Sequence, residues 1–239
     1  MAQMILVLGN SGTGKSTSMR NLPSDNVCLI NVSNKPLPFR NKFDENIYST
    51  DYKKIIDVMK STKKQIIVID DFQYILSTEF FNTIDEKGFD KYNRLAYHYF
   101  KIIDTAIKLD NNKIVVFTSH VDKSDNGGEK IKTIGKLLDD KLCVEGLFTT
   151  VLGTLVQDGE YYFTTKNNGM NTVKTPLGMF DSDVIENDLA YVVEKVKEYY
   201  GMDDAKSAEE LKHIDEEKKA PIELPKKRTR PTFDNRVPF

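Results

Sequence analysis

Four short apolar runs constrain this chain more than any other feature: MILVL (4–8), VCLIN (27–31), QIIVID (65–70) and KIVVFTS (113–119). Each is nearly continuous and gives way to glycine or polar residues. Runs this short do not make stable helices, and their lack of alternation means that both faces are buried. That is how the central strands of a parallel sheet read. Between them, 51–60 and 89–109 follow a helical period, the second placing Tyr92, Leu95, Ala96, Tyr99, Ile102, Ile103 and Ala106 on one face. Strands alternating with helices through right-handed crossovers predict an α/β fold with a doubly wound, mainly parallel sheet.

The pattern changes after about residue 145. Two β-rich runs flank Gln157-Asp158-Gly159-Glu160, and Asp-Gly favours the positive-φ turn of a β-hairpin. Residues 184–200 predict a last helix, closed by Gly201. Residues 203–239 carry nine acidic and nine basic side chains and four of the eight prolines, too little apolar matter to offset ordering entropy. The expected organisation is one domain over 1–201 and a charged, proline-containing, mostly disordered tail over 202–239, with a solvated helix over 203–219.

A length of 239 residues suits one domain of this kind plus an extension. The net charge of −2 argues against whole-surface attraction to nucleic acid and leaves room for a local basic patch. Cys28 and Cys143 have neither metal-ligand spacing nor the numbers of a disulfide framework, so they read as core thiols in a reducing cytoplasm. No basic leader precedes the first strand, and no apolar run approaches the roughly 20 residues needed to span a bilayer. A cytoplasmic protein without a membrane segment is the expectation.

Directly after the first apolar run, Gly9-Asn10-Ser11-Gly12-Thr13-Gly14-Lys15-Ser16 matches the phosphate-loop pattern G-x-x-x-x-G-K-[ST] in full, and Thr17 follows. The glycines free backbone N–H groups to turn towards phosphates, and a helix over 15–21 would add its N-terminal partial charge. Lys15 would reach the β- and γ-phosphates of ATP, and Ser16 would ligate Mg²⁺. Asp70, at the carboxyl end of a buried run, is the candidate second metal-side group; its alternative is to cap the helix that starts near Phe72. Asp71 either orients the attacking water or caps the FQYIL helix, and Glu79 reads as surface. At the end of 113–119, Thr118 or Ser119 would contact the γ-phosphate and His120 would relay nucleotide state; a structural histidine is the alternative.

GNSGTGKST, VIDDFQYIL, VVFTSH, KTIGKLLDDKLCVEGLFTTVL and TTKNNGMNTVKTPLGMF, in this order over about 3–200, resemble a family of bacteriophage RecA-like AAA-type ATPases. The resemblance implies a RecA-like P-loop core, ATP with Mg²⁺, and self-assembly that places a basic residue in the neighbour's site. Some relatives are recombination ATPases that work with a single-strand-binding or annealing protein on single-stranded DNA. This chain departs from the better-known pattern in two places. The stretch CLINVSNKPLPFR has no acid where RecA-type enzymes carry their catalytic glutamate, and residues 1–200 contain only Arg20, Arg40 and Arg94. Lys132, Lys136 or Arg94 is then the candidate trans-acting cation. Arginine scarcity also weighs against a small-molecule kinase, and a nucleotide-gated adaptor of the helicase-loader kind is the further alternative.

Loop 121–136, with Lys123, Lys130, Lys132 and Lys136 and two adjacent glycines, is the best candidate for DNA contact. KKRTR at 226–230 is a second basic candidate, and the terminal NRVPF (235–239) resembles the tip of a single-strand-binding protein.

Overall fold

The computed structural model describes residues 1–124, 127–134, 138 and 141–219. Lys136, KKRTR, NRVPF and the last part of the expected tail lie outside the described residues.

The strands form where the apolar runs predicted them: β1 (Gln3–Leu8), β2 (Val27–Asn31), β4 (Ile66–Asp70) and β5 (Ile114–Ser119). The short β3 (Glu45–Ile47), which has no apolar run to announce it, adds a parallel edge beside β2. After β5 come β6 (Val121–Lys123) and β7 (Glu129–Ile131), an antiparallel ribbon of its own. The expected hairpin is β8 (Thr150–Gln157) and β9 (Glu160–Thr164), turning on Asp158 and Gly159 at φ 55° and 83°. With β10 (Val184–Glu186) these make an eight-stranded sheet in the order β10-β9-β8-β1-β5-β4-β2-β3. Pairing is parallel from β8 to β3 and antiparallel in the β8-β9-β10 flank. The protein is thus a mixed α/β fold with a mostly parallel central sheet, a layout compatible with Rossmann- and RecA-like folds.

Helices α1 (Tyr52–Ser61), α2 (Gln73–Asn82) and α3 (Asp90–Ile107) cover one face, where they bury Ile55, Phe72, Leu95, Tyr99 and Ile103 against Leu6, Ile69 and Phe117. Helix α4 (Leu189–Tyr199) covers the other, with Leu189, Val192 and Val196 against Ile5, Val7 and Leu152. Successive residues of β1 therefore serve opposite cores, as the unbroken apolar run requires.

Two helices differ from expectation. In place of a helix over 15–21 there is a turn followed by a five-residue 3₁₀ helix, Thr17–Asn21. Ser18 Oγ bonds back to the Lys15 carbonyl at 2.5 Å, and Leu22 before Pro23 is forced extended at ψ 143°. So short an element has little macrodipole to offer an anion. The 184–200 segment begins as strand β10, because Val184 and Ile185 pair with β9 and Asp188 starts α4 as its N-cap, accepting from Ala190 N at 3.0 Å. Helix α4 runs out at Tyr200 and the chain turns at Gly201 (φ 60°).

Of the segment expected to be an extension, α5 (Ala208–Lys218) is described, and it docks on α4 rather than standing free. Asp215 accepts from Tyr191 Oη at 2.6 Å and from Lys195 Nζ at 2.9 Å, while Lys218 meets both Glu186 and Asp188. Among the described residues, no helix is long and apolar enough to cross a membrane.

Candidate functional site

The carboxyl ends of β1, β5, β4 and β2 lie side by side, with Leu8 opposite Ser119, Ile69 opposite Phe117 and Asn31 opposite Asp70. Strand β5 stands between β1 and β4. Such edges are where open parallel sheets place ligands. A cavity of about 310 Å³ opens there.

One wall is the loop Gly9–Ser16. Gly9 has no room for a side chain, since a Cβ would come within 1.7 Å of Thr154 Oγ1 on β8. Thr154 Oγ1 hydrogen-bonds Thr13 Oγ1 at 2.5 Å and lies 3.2 Å from the Leu8 carbonyl, so the hairpin braces the loop from behind. Gly14 sits at φ 97°, and a Cβ would touch the Tyr161 ring at 2.9 Å. Ser11, Gly12, Gly14, Lys15, Ser16 and Thr17 line the cavity. Gly9, Asn10 and Thr13 shape the loop instead, Thr13 donating to the Asn10 carbonyl at 2.8 Å. Lys15 folds inwards, donating to the carbonyls of Gly9 at 2.9 Å and Asn10 at 2.7 Å. Burial lowers its pKa to about 8, against the raising pull of Asp71 and Asp70.

Asp70 and Ser16 meet at the floor. Ser16 Oγ donates to Asp70 Oδ2 at 2.9 Å, and Thr118 Oγ1 donates to Asp70 Oδ1 at 2.6 Å. Asp70 caps no helix. Burial pushes its carboxyl above the usual range, opposed by the Thr118 and Ser16 hydrogen bonds. Ser16 and Asp70 fit a magnesium ion: both are hard oxygen donors, and their 2.9 Å separation is that of neighbouring ligands. In an octahedral shell with bonds of about 2.1 Å, such neighbours stand about 3 Å apart. Among the described residues, no group of three or more His, Cys, Asp or Glu could hold a metal. A site with one carboxylate suits Mg²⁺, which takes few protein ligands and completes its shell with water and phosphate.

Asp71 turns the other way. Its backbone is left-handed (φ 62°), because Asp71 N bonds Thr118 Oγ1 at 2.9 Å and Phe72 N bonds the Thr118 carbonyl at 2.9 Å before α2 begins. That conformation costs an L-residue roughly 1–2 kcal/mol. It is offset by Phe72, fully buried and stacked on Tyr99 at 4.1 Å, a burial worth about 2 kcal/mol. The Asp71 carboxylate accepts from Lys35 Nζ at 2.9 Å and lies 3.7 Å from His120 Nε2. It caps nothing. Burial would raise its pKa, but the hydrogen bond and charge of Lys35, with His120, hold it below the ordinary value. His120 is itself pushed down by burial and by Lys15, and its backbone N–H donates to Gln73 Oε1 at 3.2 Å.

The structure thus brings Lys15, Ser16, Thr17, Asp70, Asp71 and His120 to one cavity. It does not bring Ser119, which is fully buried with its hydroxyl unpartnered among the described residues. Thr118 likewise stays behind Asp70 and off the cavity surface. Arg94 lies on α3, paired with Glu86 at 2.6 Å and beside Glu79, which is half-buried and bonded to His98 at 2.8 Å rather than free on the surface. Lys132 is exposed and does not line the cavity, although its N–H holds the His120 carbonyl at 2.8 Å.

Sequence reasoning missed Lys35 and Tyr161, which both line the cavity. The signal for Lys35 was its position just after the carboxyl end of a central strand; Tyr161, on the outer hairpin, left none. No protein-family model matches this chain, and no curated protein matches it.

Proposed function

We propose that the chain binds ATP with Mg²⁺ and hydrolyses it, as a RecA-like P-loop ATPase of a bacteriophage acting in DNA recombination, repair or replication. The observation that carries this reading is one cavity uniting a glycine loop, Lys15 and the Ser16–Asp70 oxygen pair at the carboxyl edge of parallel strands. The loop's backbone N–H groups and Lys15 would bind the phosphates. To do so Lys15 exchanges the Gly9 and Asn10 carbonyls for phosphate oxygens. Ser16 and Asp70 would hold the metal, whose charge offsets that of the phosphates. Asp71 is the base in reach: a water oxygen bonds the terminal phosphorus as the bond to the bridging oxygen breaks, and Asp71 takes the water's proton. Ribbon β6–β7 carries Lys123 and Lys130 directly after β5, which supports contact with the phosphates of single-stranded DNA. Assembly into a homo-oligomer, and a single-strand-binding or annealing protein as partner, follow from the resemblance.

The test is phosphate release by purified protein with and without Mg²⁺ and single-stranded DNA. Mg²⁺-dependent release that rises with DNA is expected; none under either condition overturns the hydrolysis. One observation favours a second reading, an adaptor with little turnover. A carboxylate neutralised by Lys35 is a weak base, so ATP binding without release in the same assay would select that reading.

A further inference from the structure

Beyond Lys15, the cavity has one more lysine, and nothing in the phosphate-loop pattern accounts for it. Lys35 belongs to the segment between β2 and β3. Asn31, the last residue of β2 and only 6% exposed, donates through Nδ2 to the Lys35 carbonyl at 2.8 Å. Asn34 is left-handed at φ 52°, and Pro36 restricts Lys35 to extended backbone. The backbone of Lys35 is therefore pinned at the sheet edge before any ligand arrives. Its ammonium lies 2.9 Å from Asp71 Oδ2 and 5.2 Å from the centre of the Tyr74 ring. Its side chain is 60% exposed, so beyond the bond to Asp71 two ammonium donors remain at no great desolvation cost.

Among the described residues, none of the three arginines lines this cavity. Arg20 is committed to Glu186 at 3.0 Å and to the Asn187 carbonyl, and Arg94 to Glu86. Arg40 lines a separate hollow beside Phe39 and Phe43. Lysines 15 and 35 both line the cavity, together with Asp70 and Asp71. A triphosphate whose β- and γ-phosphates lie at Lys15 would hold its terminal group in the same cavity that Lys35 lines.

We infer that Lys35 supplies, from within the same chain, the second cation that recognises the terminal phosphate of a nucleoside triphosphate. It rests on the proposed nucleotide site and deepens it: the pocket reads triphosphate against diphosphate through Lys35, without a basic residue lent by a neighbouring subunit. Asp71 is the resting partner that holds the ammonium in place, and Lys35 keeps contact with it while reaching phosphate oxygens.

The test uses the full chain and displacement of a fluorescent nucleotide, in Mg²⁺, by ADP and by a non-hydrolysable ATP analogue. Lys35→Met is expected to weaken the triphosphate about tenfold or more, the size of one lost charge-assisted hydrogen bond, and to change ADP by less than about twofold. Lys35→Arg restores most of the preference, and Arg94→Ala leaves it intact. Circular dichroism checks that Lys35→Met is folded. Equal losses for both nucleotides, or no loss for either, overturn the inference and leave the nucleotide site standing. Loss of the preference in Arg94→Ala with its retention in Lys35→Met assigns the role to a neighbour's arginine, which also overturns it. Failure of the wild-type chain to bind either nucleotide overturns the site and the inference together.

Discussion

Asp70 and Asp71 are adjacent in the chain and line one cavity, yet they face different partners. Asp70 sits among hydroxyls, from Ser16 beyond β1 and Thr118 on β5, and burial raises its pKa. Asp71 sits beside the Lys35 ammonium beyond β2, with the Ser33 hydroxyl and His120 adding to it, and the pull of Lys35 above all lowers its pKa despite burial. A single left-handed residue, Asp71 at φ 62°, separates the two environments. A carboxylate's task is thus set less by its place in a motif than by which strands lend it partners.

The largest effect that tests this contrast is on turnover. On the proposed reading, Asp70→Asn should cut Mg²⁺-dependent phosphate release about a thousandfold, by removing charge where the metal would be held. Asp71→Asn would remove the proposed base, already weakened by Lys35, and should cost about a hundredfold, the low end for such catalysis. Steady-state rates give the ratio, and equal losses would break the contrast.

The glycine loop comes next. Gly14→Ala meets both the strain of φ 97° and the Tyr161 ring, whereas Gly12 at φ 77° faces open space. Denaturant unfolding should show about 3 kcal/mol lost for Gly14→Ala, from strain and overpacking together, and about 1 kcal/mol for Gly12→Ala. Comparable losses would mean that the hairpin does not brace the loop.

Thr118 joins the two aspartates, donating to Asp70 and accepting from the Asp71 N–H. Thr118→Val keeps the shape, takes one of the hydroxyl bonds from Asp70 and leaves the Asp71 N–H without that partner, at about 2 kcal/mol. For a protein of this size that lowers the thermal midpoint by about 4–8 °C. Thr118→Ser should lower it far less.

The smallest effect has the sharpest sign. Burial raises the pKa of Asp70, so the fold binds a proton there more readily than the unfolded chain. Stability then falls as pH rises from the ordinary value of 3.8 through the raised one. Asp71 is lowered, so its stabilisation is present above 3.8 and disappears as pH falls through its folded value. In the unliganded protein at pH 7, Asp70→Asn should therefore raise the thermal midpoint and Asp71→Asn lower it. Calorimetry on both variants measures the two signs, and a shared sign breaks the contrast.

Much of this was legible in the residues. The central strands lie within a residue of the apolar runs, because a segment apolar on both sides is stable only where both sides are covered. Lys15, Ser16 and Asp70 were legible because the loop pattern and the strand end place them without long-range information. The 3₁₀ turn at Thr17–Asn21 was not, since the local pattern does not weigh the Ser18 side-chain bond against the extended backbone imposed before Pro23. Ser119 was misplaced for a simpler reason: alternation along β5 fixes which neighbour faces the site only once the sheet's neighbours are known. The docking of α5 escaped notice because it rests on charged pairs, Lys195–Asp215 and Lys218–Asp188, that composition cannot tell from solvated ones.

By itself, then, the sequence determined the parallel sheet, the hairpin turn at Asp158-Gly159 and the identity of the loop residues. These follow from local rules: apolar continuity, positive-φ propensity and spacing. Only the tertiary structure decided that Asp71 faces Lys35, that Tyr161 closes on Gly14 and that Thr154 braces Gly9. Those contacts join residues 36, 147 and 145 positions apart in the chain. Their geometry depends on strand order and on one left-handed residue, and no local propensity encodes either.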